Sequence, residues 1–396
     1  MNLTNRRLFK FLSDLSFTWT LEENGVVTAR GSFRNDLAPG SCCEIGIDLG
    51  HEPDPSRYAF LDIRGEYVQD NLFARQGDEV GTDQFPVVEA PVCRRTSKPS
   101  FSLSMETVED DFLIHSDADY RISKLTGCLT SIRREGQEFL SNPCVPNIWR
   151  APTDNDRYIK SQWMKAGYHR TLLKCLSVDI QENTQSGISV RADFCLAANA
   201  LRPALTGSFV YTFTGEGGVR ILLEGHKPED NPDLPRFGIM MGLVPGHEEL
   251  SYFGRGDAES YQDKRHASRM GVFEIAVRDH FEHYVRPQEN MAHADTRWVR
   301  VTDEEESGLL VLSTQNSFSF NCSHFTPDDL TRTGHDYELI PRNETILCLD
   351  EKQSGIGSNS CGPALDARYK LSQPDRSFEI RLLPYRKTDG DPFNLL

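Results

Sequence analysis

Four short stretches hold most of the residues that could do chemistry. The first is Trp149-Arg150-Ala151-Pro152-Thr153-Asp154-Asn155-Asp156-Arg157, where carboxylates and an amide follow a proline. Such a turn can bind a sugar hydroxyl, hold a cation through oxygen ligands, or cap its own backbone. The second runs from Tyr252 to Asp263 and includes Gly254, Arg255, Gly256, Asp257 and Glu259. Its glycines predict tight backbone packing, and it lacks the Gly-Lys-Ser/Thr end of a phosphate loop. The third is Arg286-Pro287-Gln288-Glu289-Asn290, followed by His293, Asp295, Arg297 and Trp298. These residues could line a saccharide cleft or form buried ion pairs between sheets. His293 and Asp295 are expected to share a strand face, but two ligands do not make a metal site and no third is evident. The fourth is Gly355-Ile356-Gly357-Ser358-Asn359-Ser360-Cys361-Gly362-Pro363. A loop of glycines and small polar residues lets backbone approach a ligand or a neighbouring chain. Cys361 would need a partner base to act as a nucleophile, and the sequence assigns none, so packing fits it better. No pair of carboxylates declares itself as the acid and nucleophile of a glycosidase.

The composition narrows the classes. The chain has 396 residues and a formal charge of -16, which argues against nucleic-acid binding. No apolar run approaches the roughly 18 residues of a membrane span. No long apolar stretch follows Arg6-Arg7, so a secretory signal is not expected and the expected compartment is the cytoplasm. The ten cysteines are scattered without any Cys-x-x-Cys, so no structural zinc is expected. In a reducing compartment most should be small core residues.

The elements that must position these stretches read as strands. Phe17 to Leu21 alternates apolar and polar residues, Asn24-Gly25 supplies a turn, and Val26 to Arg30 resumes an extended run. Similar runs recur at 188–194, 209–213, 219–223, 308–312 and 378–382, with turn residues at 215–218. Helical periodicity is scarce, with one short turn expected over Ser161–Ala166. Many short strands predict an all-β protein built of sandwiches rather than a βα barrel. Residues 1–90 have the size of an immunoglobulin-like β-sandwich. The polar, proline-flanked stretch 91–100 reads as a linker, and residues 101–396 as one very large sandwich.

Taken in order, the four stretches resemble the C-terminal portion of family-two glycoside hydrolase β-galactosidases, whose small subunit is sometimes encoded separately. Trp149 to Asp156 is similar to that family's small-chain hallmark. Phe253-Gly-Arg-Gly-Asp-Ala-Glu-Ser-Tyr261 with Asp263 is similar to its Phe-Gly-Arg-Gly-Pro-x-Glu-Asn-Tyr-x-Asp pattern. Tyr284 to Asn290 with Asp295, Arg297 and Trp298 resembles the next motif. Leu234-Pro-Arg-Phe-Gly238 and Gly355 to Pro363 fit in order. Asn5-Arg6, Leu12 to Leu15, Trp19 and Gly77 to Gln84 resemble the immunoglobulin-like domain that precedes this region. Asp257 stands where proline is usual, Ser260 where asparagine is usual, and Met291 where glycine is usual.

The resemblance implies an immunoglobulin-like sandwich followed by a large galactose-mutarotase-like supersandwich. It implies a C-terminal region or small subunit that completes and shapes the galactoside site of a retaining β-galactosidase. The family's catalytic barrel, with both catalytic glutamates, lies upstream of the matched portion, so this chain is expected to hold no catalytic residue. Asp154, Asn155, Asp156, Asn359, Ser360 and Cys361 are expected at the rim of the substrate site. In some family members a tryptophan occupies the position of Cys361, which is too small to stack on a sugar. The segment Arg157 to Trp163 is expected to lie toward the partner and to lack a packing surface without it. The family's metal sites belong mainly to the barrel, so no cofactor is expected in this chain. The implied partners are a galactoside and a catalytic large chain or upstream domains, with room for a homo-oligomer and with neither nucleic acid nor membrane. A non-catalytic carbohydrate-binding module and a mutarotase-like sugar epimerase are the alternatives. The epimerase needs a histidine–carboxylate pair, and no familiar motif supplies one.

Overall fold

In a computed structural model, residues 1–89, 101–314, 317–357 and 361–396 are described. The expected linker, along with Asn359 and Ser360, therefore falls outside the described residues. The chain divides into two compact units, Met1–Thr96 and Ser97–Leu396.

The smaller unit is built on a four-stranded antiparallel sheet in the order Val26–Phe33, Leu15–Glu23, Ala59–Tyr67, Glu79–Val88. Asn2–Thr4 pairs with Cys42–Glu44 as a second, two-stranded sheet. The hairpin turn expected at Asn24-Gly25 is present, with φ of 50° and 78°. Positive φ at both central residues matches the twist of the flanking strands. Leu12, Leu15, Phe17 and Ile63 form its buried centre. Trp19 lies over Gly31, where a Cβ would come within 2.6 Å of the indole.

The larger unit is a sandwich of a ten-stranded and a nine-stranded sheet, and its strand pairs are antiparallel throughout the described residues. Strands of the nine-stranded sheet include Gly187–Ala197, Leu205–Thr214, Val219–His226, Ser307–Ser313 and Asp375–Arg386, covering the runs expected at 188–194, 209–213, 219–223, 308–312 and 378–382. Ile122, Leu129, Ile239 and Leu349 from one sheet and Val190, Phe209, Ile221 and Ile380 from the other belong to one buried cluster. Burial of this kind stabilises by about 25 cal/mol per Å² of apolar surface.

The expected helical turn is the helix Ile159–Ala166, closed by Gly167 at φ 76°. Left-handed backbone at that position favours glycine. Here the structure corrects an expectation. Trp163 is 1% exposed, its indole N–H donates to the Asp233 carbonyl at 2.8 Å, and Trp149 meets it edge-on. Trp163 therefore finds its packing surface inside its own unit, while Arg157, Tyr158, Ser161 and Gln162 stay exposed. No helix among the described residues is long and apolar enough to cross a membrane.

Cysteine placement also departs from expectation. Cys128, Cys144, Cys322 and Cys348 are buried, Cys43, Cys175 and Cys195 are half-buried, and Cys42 and Cys361 are exposed.

Candidate functional site

All four polar stretches meet at one cleft of about 780 Å³ in the larger unit. Thr153, Asp154 and Asn155 come from the first, and Glu259 and Asp263, with the adjoining Lys264, from the second. Gln288 and Glu289, with the preceding Tyr284, come from the third, and Ile356, Gly357 and Pro363 from the fourth. Leu365, Asp366 and Tyr369 add a wall that no motif announced.

The first wall is the turn Asp154–Asp156. The Asp156 carboxylate accepts from the Thr153 N–H at 2.9 Å and from the Arg150 guanidinium at 2.8 Å. Arg150 is fully buried and also donates to the carbonyls of Ser354 and Gly355. A charge this deep needs a partner and several acceptors, and here they come from two of the four stretches. Asp154 and Asn155 then project toward the cleft. The Asp154 N–H donates to Gln288 Oε1 at 2.9 Å, and Asn155 Nδ2 donates to the Gly357 carbonyl at 2.5 Å.

The second stretch supplies acceptors. Glu259 accepts from Lys264 Nζ at 2.5 Å, from the Tyr284 hydroxyl at 3.4 Å and from the Met291 N–H at 3.0 Å. Burial and the neighbouring Glu259 carboxylate raise the Tyr284 phenol to about 12. Asp263 accepts from the N–H groups of Ile356 and Gly357 at 3.1 and 2.6 Å. Met291 sits at φ 48°, so a side chain does occupy a left-handed turn there.

Beneath the cleft lies a buried ion pair. Arg236 donates to both oxygens of Asp350 at 2.9 and 2.6 Å and approaches Glu289 Oε1 at 3.4 Å. Asn321 and Gln353 complete the network. Burial raises the Asp350 carboxyl to about 6 against the pull of Arg236. Burial also works against the Arg236 charge, but Asp350 and Glu289 outweigh it and hold the guanidinium well above its ordinary value. Arg236 and Gln353 thus hold Glu289 in place at the floor of the cleft.

Of the expected rim residues, Asp154 is exposed and Asn155 half-buried, both lining the cleft, whereas Asp156 is buried behind the wall. Asn359 and Ser360 lie outside the described residues. Cys361 is exposed and precedes the lining Pro363 by two residues. The shared face expected for His293 and Asp295 does not form. Asp295 has φ 56°, and the pairing register shifts between His293 and Thr296. His293 turns into the core against Tyr252, His280 and Phe320, while half-buried Asp295 pairs with Arg255 at 2.5 Å. Among the described residues, no group of three His, Cys, Asp or Glu side chains is placed to hold a metal ion. Sequence reasoning did not assign Lys264, Asp366 or Tyr369 to the site. Glu259, Asp263 and Glu289 did sit inside motifs, and their charge was the available signal.

Fold and site together define an all-β chain of two units, whose larger sandwich carries a polar cleft built from loops. Residues 114–382 match the family model for the β-galactosidase small chain, and residues 1–88 match that for β-galactosidase domain 4. The chain belongs to the β-galactosidase small chain family. It is 31% identical over 380 residues to a β-galactosidase of Actinobacillus pleuropneumoniae, covering 94% of this chain and 36% of that protein. It is 31% identical over 340 residues to a β-galactosidase of Staphylococcus xylosus, covering 85% and 34% respectively. The chain thus spans about a third of the length of these relatives. Among solved structures, a putative aldose 1-epimerase of Escherichia coli K12 aligns at 9% identity and a TM-score of 0.35, over 72% of this chain and 99% of that one.

Proposed function

We propose that this chain is the C-terminal region or small subunit of a retaining β-galactosidase, working in the cytoplasm. Its cleft completes a galactoside site whose catalytic barrel lies outside the chain. The observation that carries this reading is the convergence of four sequence-distant polar stretches on one cleft.

The cleft is suited to holding a sugar rather than cleaving it. Retaining hydrolysis needs an acid–base carboxyl and a nucleophilic carboxylate about 5–5.5 Å apart. Glu259, Asp263 and Glu289 are instead engaged as acceptors from protein donors. The Asp154 carboxylate is exposed at the mouth, where it can accept a sugar hydroxyl. Ile356, Pro363 and Leu365 offer apolar surface to the faces of a pyranose ring. Asn359, Ser360 and Cys361 are proposed to border the same galactoside, with backbone and amide contacts in place of an aromatic face. No cofactor is proposed within this chain.

The test is cleavage of a nitrophenyl β-galactoside by the purified chain, alone and with a catalytic large chain of the family. The chain alone should be inactive, and the pair should turn over substrate. Turnover by the chain alone, with contaminating enzyme excluded, contradicts the reading. Saturable galactoside binding without restored turnover would instead mark a carbohydrate-binding module.

A further inference from the structure

Gly357 is where three walls of the cleft are tied together. Its N–H donates to Asp263 Oδ2 at 2.6 Å, and its carbonyl accepts from Asn155 Nδ2 at 2.5 Å. One residue earlier, the Ile356 N–H donates to Asp263 Oδ1 at 3.1 Å. A single carboxylate therefore receives two successive backbone N–H groups, one on each oxygen. Two parallel bonds to an ionised acceptor are stronger and more directional than neutral ones.

The surrounding sequence accommodates this grip. A Cβ on Gly355 would come within 2.7 Å of Asp263 Cγ, so only glycine leaves room for the carboxylate there. Gly357 itself has φ 62°, a left-handed conformation that a side chain would disfavour. On the far side, the Gly355 N–H donates to the Tyr369 carbonyl at 2.8 Å, and the Gly355 carbonyl accepts from buried Arg150 at 3.2 Å. The wall is thus held from both sides, and Asp263 is the one carboxylate that grips it through its N–H groups.

We propose that Asp263 is a positioning residue for the galactoside: it sets where the Ile356–Gly357 wall stands against Asn155 and so fixes the width of the sugar-binding cleft. This rests on the reading of the cleft as part of a galactoside site. Each Asp263 oxygen accepts one backbone N–H, so its part runs through the wall it holds. Its effect falls on substrate holding rather than on the bond-breaking carboxyls of the barrel. Losing it should raise KM and leave kcat nearly unchanged, the pattern of lost uniform binding.

The experiment compares wild type, Asp263→Asn and Gly355→Ala in the complete enzyme, formed from this chain and its catalytic portion, with a nitrophenyl β-galactoside. Asp263→Asn keeps the size of the side chain but presents an amide N–H₂ to one of the two backbone donors. KM should rise roughly tenfold with kcat within about twofold of wild type. Gly355→Ala keeps the carboxylate but takes its space, and should shift KM in the same direction. Amide hydrogen exchange on the chain alone is the second readout, and Ile356 and Gly357 should exchange faster in Asp263→Asn than in wild type. Wild-type turnover with an unchanged KM in Asp263→Asn overturns the role of Asp263 and leaves the cleft reading intact. An unchanged KM with a collapsed kcat also overturns it. Unchanged exchange at both amides shows that the grip is absent and overturns it on structural grounds. A wild-type enzyme that gives no turnover overturns the cleft reading and, with it, the part of Asp263 in the reaction.

Discussion

The two units bury their residues very differently. The smaller unit centres on Leu12, Leu15, Phe17 and Ile63, while Leu8, Phe9, Phe11, Leu72 and Phe73 are exposed on its loops. The larger unit buries one continuous cluster between two wide sheets, and within it places charged groups such as Arg150, Arg236 and Asp350. The smaller unit buries the Glu23 carboxylate against the Asp54 N–H and the His51 ring, whereas the larger core carries a whole ion pair beneath a functional surface. The cleft sits in the larger unit, above that buried ion pair.

Breaking the smaller core should have the largest effect. Phe17 stacks on Phe33 at 5.0 Å, and Phe17→Ala should cost about 3–5 kcal/mol. That is comparable to the whole stability expected of a domain this small. Hydrogen exchange should show loss of protection across residues 1–89, with the strands of the larger sandwich still protected. Equal loss in both would mean that the small core does not stand on its own contacts.

In the larger unit, Arg236→Ala leaves Asp350 buried without its cation. Breaking such a pair costs about 3–5 kcal/mol, but here the surplus is greater, so the sandwich should survive with a lower melting temperature. Replacing the pair together, as Arg236→Met with Asp350→Leu, should recover much of that loss in a denaturant melt. A double variant no more stable than the single one would show that Asn321, Gln353 and Glu289 need the charge as much as Asp350 does.

A smaller, pH-dependent effect comes from the imidazoles of His280 and His293. Their Nε2 atoms lie 2.8 Å apart, with Tyr252 and Phe320 against the rings and the carbonyls of Cys322 and Arg255 at the Nδ1 atoms. Burial lowers His280 to about 4 and His293 to about 3, the latter with His280 as a further cause. Both values lie below the 6.5 of an unfolded histidine. The unfolded chain therefore takes up protons that the folded chain refuses. Their contribution to stability is fully present above about pH 6.5 and is lost as pH falls toward 4 and 3. The loss by pH 5.5 should be on the order of 3 kcal/mol for the two rings together, measurable in urea melts between pH 7 and 5.5. A gain in stability over that window would mean that the pair shares a proton across its short Nε2 contact.

Much of the architecture was legible because alternation and turns are local signals. Phe209–Phe213, Val219–Leu223 and Phe378–Leu382 became strands because each alternates or runs apolar between turn residues. The cleft was legible only in parts. Asp263 follows the strand Glu249–Gly256 of one sheet, and Gly355 follows Thr345–Gln353 of the other, so no local pattern tells that they meet. His293 and Asp295 parted because a bulge and a left-handed residue broke the alternation that a two-residue spacing assumes. Trp163 ends a segment that its polar neighbours make look exposed, yet the loop ending in Asp233 supplies its acceptor within the same unit. Asp366 and Tyr369 reach the cleft by topology alone.

The most direct test of the cleft as a galactoside site is hydrogen exchange of the complete enzyme, with and without a non-hydrolysable β-galactoside. The account predicts that the sugar slows exchange in segments 153–156 and 355–357, while the strands beneath them, already protected, do not change. Slowing confined to the catalytic barrel, with both segments of this chain indifferent to the sugar, would contradict it.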